Sequence, residues 1–133
     1  MSGPGVRPFR AASLHDGGFV HGAVVDAGAT LFTAGISPLD DAGELVAPDD
    51  AEAQTRCALA QLDAVLAAGG AAAETVASLT VYVASDRREL LGRVWQIVDR
   101  WWRATPPAIV VGVTVLPYPG QLVEVQAVAA VRL

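Results

Sequence analysis

Val76-Ala77-Ser78-Leu79-Thr80-Val81-Tyr82-Val83-Ala84 is the stretch on which the fold turns. Ala77, Leu79, Val81 and Val83 fall on one side and Ser78, Thr80 and Tyr82 on the other, the period of a strand with two unlike faces. On both flanks the period becomes helical. Upstream, Asp49-Asp50-Ala51-Glu52 places carboxylates where the positive end of a helix favours them. Ala58, Leu62, Val65 and Leu66 then recur at helical spacing until Gly69-Gly70 ends the element. Downstream, residues 86–103 carry a wide apolar stripe of Leu90, Leu91, Val94, Ile97, Val98 and Trp101, stopped by Pro106-Pro107.

Further out the chain reads as strand again. Ala108–Val115 is almost continuously apolar, Leu116-Pro117-Tyr118-Pro119-Gly120 is a turn, and Leu122–Val131 is the last strand. Near the N-terminus, Phe19–Ala27 and Thr30–Gly35 are strand-like and broken by Ala27-Gly28-Ala29, which predicts a hairpin. Ser37–Pro48 is a loop, and residues 1–6 are expected to be a disordered lead to a single domain spanning 7–133. The order is roughly β-β-β-α-β-α-β-β, an α+β plan with a mixed sheet and two helices on one face. Two helices cannot cover both faces of so apolar a sheet. Val110, Val123, Val125 and Ala127 therefore predict an uncovered face that associates with copies of itself.

Composition narrows the function. The 133 residues include no lysine, all nine basic residues are arginine, and the formal net charge is −5. A nucleic-acid surface needs clustered cations, so no nucleic-acid partner is expected. No run approaches the ~18 apolar residues of a membrane span. Met1-Ser2-Gly3-Pro4-Gly5 lacks the cationic and apolar regions of a signal peptide, so the expected compartment is the cytoplasm. One cysteine, Cys57, cannot close an intramolecular disulfide, and no Cys/His spacing suggests a metal site.

Several segments, in order, resemble the YjgF/RidA (reactive intermediate deaminase) family. Gly18-Phe19-Val20-His21-Gly22 is similar to its glycine-tyrosine segment, and Leu31-Phe32-Thr33-Ala34-Gly35-Ile36-Ser37-Pro38 to its serine-glycine-glutamine strand. Gln54-Thr55 with Leu62, Val65, Leu66 and Ala68-Gly69 resembles the first helix, and Val76–Val83 the strand after it. Gly112-Val113, Leu116-Pro117 and Glu124-Val125-Gln126-Ala127-Val128-Ala129 resemble the C-terminal strands. The likeness covers residues 8–131. It implies a chorismate-mutase-like fold and a homotrimer whose sheets line a central barrel, with three clefts at the subunit interfaces. It also implies hydrolysis of 2-imino or enamine acids to 2-keto acids and ammonia, without metal or organic cofactor.

Carried over residue by residue, the water-holding glutamate falls on Glu124, where a carboxylate can orient a water and accept its proton. The family's carboxylate-clamping arginine does not carry over: Ala108 stands in its place, beside Ile109 and Val110, and supplies neither charge nor a bidentate fork. Phe19 replaces a tyrosine, Ala34 a serine next to Gly35, and Ile36 a glutamine. Each change removes a hydrogen-bonding group, so the cleft is expected to be more apolar than a deaminase pocket. Arg93 in the second helix is the cation that could compensate, or it pairs with Glu89 one turn earlier. His21 is a candidate because an imidazole beside the glycine-aromatic segment can serve as acid or base. Cys57 reads as a small hydrophobe, and Trp95, Trp101 and Trp102 as packing residues. Three functions follow: a hydrolase of a less anionic imine, enamine or other small apolar intermediate; a family fold recruited to a specialised biosynthetic step such as cyclisation or dehydration; or a non-catalytic small-molecule-binding trimer. An acidic chain does not suit the family's older description as endoribonucleases.

Overall fold

The computed structural model describes residues 5–18 and 20–131. Strands β1 (Val6–Phe9), β2 (Gly22–Val25) and β3 (Ala29–Phe32) precede helix α1 (Ala51–Ala68). A 3-10 turn (Ala73–Thr75) leads into β4 (Val76–Ala84), then α2 (Arg88–Trp101), β5 (Ala108–Val113) and β6 (Val123–Val131). The fold is α+β, in the expected order. No helix among the described residues is long and apolar enough to cross a membrane.

Local chemistry sets the helix limits. The Asp50 carboxylate caps α1 by accepting from the Ala53 amide at 3.1 Å, satisfying one of the free N–H groups of the first turn. At the other end the Gly69 amide donates back to Val65 and Leu66, and Gly70 adopts φ 83°, turning the chain out of the helix. α2 has no side-chain cap, but Ser85 Oγ accepts from the Arg87 amide just before it.

Four strands form a mixed sheet in the order β3-β6-β4-β5: β6 is antiparallel to both neighbours and β5 runs parallel to β4. The predicted N-terminal hairpin does not form. β2 pairs instead with β1 in a separate two-stranded ribbon, from Val6 opposite Val25 to Phe9 opposite Gly22, while β3 pairs with β6. Gly28, at φ 155°, takes a backbone shape that side chains rarely permit and carries the chain from one sheet to the other rather than back on itself. β1, the one N-terminal strand to which the sequence assigned no range, begins at Val6, the last residue of the expected disordered lead; Val6 is buried. Residues 1–4 lie outside the described residues.

Both helices lie on one face of the sheet. Leu59, Leu62 and Leu66 of α1, Val94 and Val98 of α2, and Trp102 pack with Leu79, Val81 and Val83 of β4 and Val123, Val125, Ala127 and Ala129 of β6. This corrects the expectation for the sheet: Val123, Val125 and Ala127 sit beneath the helices, and Val110, paired with Val81, packs on the same side, not on the open face. The parity of β4 also shifts once. A bulge between Val76 and Ser78 buries Val76 in place of Ala77. Val65 and Trp101, expected in the helix stripes, are partly exposed at their margins.

The open face carries the alternate residues. Cross-strand partners share a face, so the register places Phe32 and Val128 with Ser78, Gln126 with Thr80 and Ile109, and Glu124 with Tyr82 and Val111. The middle of this face is polar and its flanks are apolar, with Phe32 74% and Ile109 57% exposed.

Candidate functional site

Glu124 is the second residue of β6, on the open face, half-buried and opposite Tyr82. Its carboxylate is held in place. Ser37 Oγ donates to Oε1 at 2.9 Å, and Gln121 Nε2 donates to the same Ser37 oxygen at 2.9 Å and to the Val123 carbonyl at 3.1 Å. Gln121 is buried, and its Oε1 accepts from the Tyr118 amide. A buried amide thus fixes a hydroxyl, and the hydroxyl fixes one oxygen of the carboxylate. Buried polar groups persist where their bonds are satisfied, and such a chain restricts rotation at its end.

The relay has its own support. Gln54, fully buried on α1, donates to the Ala47 and Gly120 carbonyls at 3.0 Å and accepts from the Leu122 amide at 2.7 Å. It pins the turn that presents Gln121 to the N-terminal part of α1. On the other side, the chain after β3 follows β6 with one extra residue: Phe32 faces Val128, yet Ile36 already faces Val125. Thr33 stabilises this bulge, its Oγ1 accepting from the Ala127 amide and donating to the Ala34 carbonyl. The bulge brings Gly35 against Glu124. A Cβ at residue 35 would lie 2.9 Å from the carboxyl carbon and 3.0 and 3.2 Å from its oxygens, so a glycine leaves the space the carboxylate occupies. Ala34, next to it, is exposed.

Ala108, Ile109 and Val110 gather at the far edge of the sheet. Ala108 and Ile109 share a recess with Val20, His21, Ser78 and Pro107. Ala108 and Val110 line an adjoining recess of about 280 Å³ with Val20, Trp95, Thr105 and Pro106. Within one chain this edge is two strands from Glu124, about 10 Å at the usual strand spacing. The predicted site residues therefore form two groups: Ala34, Gly35 and Glu124 at β6, and His21, Ala108, Ile109 and Val110 at β5.

His21 holds a loop together. Its Nδ1 accepts from the Ala11 amide at 2.9 Å, its Nε2 donates to the His15 carbonyl at 3.1 Å, and its own amide donates to Phe9. Arg93 is not brought to Glu124. It stands in the helical layer on the other side of the sheet, with Nε 3.9 Å from Glu52 of α1, and so pairs across helices rather than with Glu89. Phe19 lies outside the described residues. Cys57 is half-buried, and burial, reinforced by the Asp40 carboxylate, pushes its thiol up, the opposite of what a nucleophile needs. Of the tryptophans, Trp102 is in the core, Trp95 packs against it, and Trp101 donates to Asp63. Among the described residues no group of three or more His, Cys, Asp and Glu is placed to hold a metal ion.

Sequence reading did not single out Ser37 or Gln121. Ser37 was visible only as part of a loop motif. Gln121 offers no local signal, because its partners lie 84 residues upstream and in the turn around it.

The sequence profile of the family described as endoribonuclease L-PSP matches residues 11–131. A Yersinia pestis protein of unknown function from the conserved Rid protein family, YyfB, is 31% identical, with a TM-score of 0.84 over 96% of this chain and 99% of that one. The YjgF gene product of E. coli is 28% identical, with a TM-score of 0.64 over 89% of this chain and 91% of that one. Protein DfrA of Myxococcus xanthus is 36% identical over 106 residues, 79% of each chain.

Proposed function

This chain belongs to the YjgF/Rid family, the endoribonuclease L-PSP proteins, and on that premise we propose that it is a cofactor-independent hydrolase of a small, weakly anionic imine or enamine. It works as a cytoplasmic homotrimer. Its cleft lies between subunits, where Glu124 of one copy meets the Ala108 edge of the next. The observation that carries this reading is the Glu124 carboxylate, exposed to the open face and fixed by the Ser37–Gln121 relay.

The chemistry needs little else. Glu124 orients a water and takes its proton as the oxygen attacks the imine carbon, giving a carbinolamine. The proton returns to nitrogen, the C–N bond breaks as the hydroxyl passes its own proton to Glu124, and a carbonyl compound and ammonia leave. General-base assistance of this kind is worth about 10²–10⁴-fold. An enamine first takes a proton at carbon to reach the imine. The two separated groups of site residues support assembly, since only another copy can bring the β5 edge of one chain near the Glu124 of another.

Glu124→Gln tests the reading. It keeps shape and hydrogen-bonding capacity but removes the base, so turnover falls by about 10²–10⁴-fold while the melting temperature and assembly stay as they are. Full activity in the variant would make Glu124 structural. A second measurement concerns the missing clamp. Loss of a charged hydrogen-bond partner costs roughly 1.5–3 kcal/mol, so freshly generated 2-aminoacrylate is hydrolysed about 10–150-fold more slowly than by an arginine-bearing relative. Equal rates would show that another residue binds the carboxylate.

A further inference from the structure

Resting on that reading of the cleft, we infer that the recess opened at Ala108 receives an uncharged, flat apolar group of the substrate, and that its neighbour receives the hydrogen-bonding head. The first recess is walled by Val20, Trp95, Pro106, Ala108 and Val110, and Thr105 adds a hydroxyl. That hydroxyl is committed: it donates to Asp99, 2.7 Å from the carboxylate and 3.2 Å from the carbonyl oxygen. Among the described residues of the chain itself, no charged side chain lines it. An anionic group placed there loses its water and gains no partner from this wall, whereas a ring face gains contact with the half-buried indole of Trp95.

Size and continuity define the occupant further. An apolar cavity of about 150 Å³ takes benzene, so about 280 Å³ accommodates a ring or branched alkyl group with a short tail. Val20 and Ala108 also belong to the second recess, which holds the exposed Ser78 and the half-buried His21. A ligand passing over Ala108 thus runs from apolar walls to a hydroxyl. Alanine at this position is what connects the two, because a long side chain from residue 108 would fill the passage. The substrate class is a small arylalkyl or branched-alkyl imine, and its product the corresponding uncharged aldehyde or ketone.

The test is binding followed by NMR on the full chain, using the indole signal of Trp95 and the methyl signals of Ala108 and Val110. Phenylacetone is the apolar probe and pyruvate the anionic one. Phenylacetone at millimolar concentration shifts all three signals, and pyruvate at the same concentration leaves them in place. Ala108→Arg puts a cation in the passage, weakens phenylacetone by about tenfold or more and admits pyruvate. Should the arginine variant not fold, Trp95→Val removes the aromatic wall and weakens phenylacetone instead. Unmoved signals with phenylacetone, or preferential pyruvate binding, overturn the inference and leave the hydrolase reading standing if Glu124-dependent turnover is seen. Binding as described, with turnover indifferent to Glu124, sustains the inference and removes the hydrolase reading.

Discussion

The two faces of the four-stranded sheet are built from the same strands, one residue out of step, and they serve opposite ends. Leu79, Val81, Val83, Val123 and Val125 face the helices and are completely buried. Their neighbours Ser78, Thr80, Tyr82, Glu124 and Gln126 look outward with Phe32 and Ile109. The covered face is uniform in chemistry and closed. The open face has a polar centre and apolar flanks. A slip of one residue in register would exchange the two sets, so the buried valines that stabilise the fold also specify where Glu124 points.

The comparison can be broken most severely from the covered side. Leu79→Ala leaves a cavity in a close-packed core and lowers unfolding free energy by about 2–5 kcal/mol, whereas Thr80→Ala, one residue along, changes it by no more than about 0.5 kcal/mol. Chemical denaturation of the two variants checks this, and equal losses would mean that both faces are packed alike in the isolated chain. Next in size is the margin of the open face. Phe32→Asp weakens self-association by about 1.5–3 kcal/mol per copy or more, the burial of one large apolar side chain. Light scattering at micromolar concentration then returns about three chain masses for the parent chain and one for the variant. A parent monomer would show that the open face is simply solvated. The smallest effect belongs to the relay. Ser37→Ala removes one charge-assisted bond to Glu124 and reduces kcat by about tenfold with little change in KM, since it acts by positioning. Rescue by Ser37→Thr separates this role from a loss of packing.

Much of this was legible in the chain because it depends on neighbours in sequence. Helix α1 begins and ends where Asp50 and Gly69-Gly70 place it, since capping is a transaction among residues within one turn. The outward side of β4 from Ser78 to Tyr82 followed from its period. The ordered motifs pointed to the family, and a carboxylate within a valine-rich strand marked Glu124. Ala108 stood out because a residue type capable of clamping a carboxylate was missing at that place.

What only the tertiary structure decided involves partners far apart along the chain. Local propensity says that Gly22–Val25 and Ala29–Phe32 are strands, but not that the first pairs with Val6–Phe9 and the second with β6. Alternation sorts Val123, Val125 and Ala127 from Glu124 and Gln126, but leaves open which set meets the helices; the packing of α1 and α2 settled that. Arg93 had a local partner in Glu89 and took Glu52, on another helix, instead. The fixing of Glu124 by Ser37, 87 residues away, and of Ser37 by Gln121, 84 residues away, has no trace in any local window. Periodicity and capping report energies set within a few residues, and these the sequence determined by itself. Strand pairing, the choice of buried face and the hydrogen-bond relay report energies that exist only once distant segments are brought together, and these were decided by the folded chain.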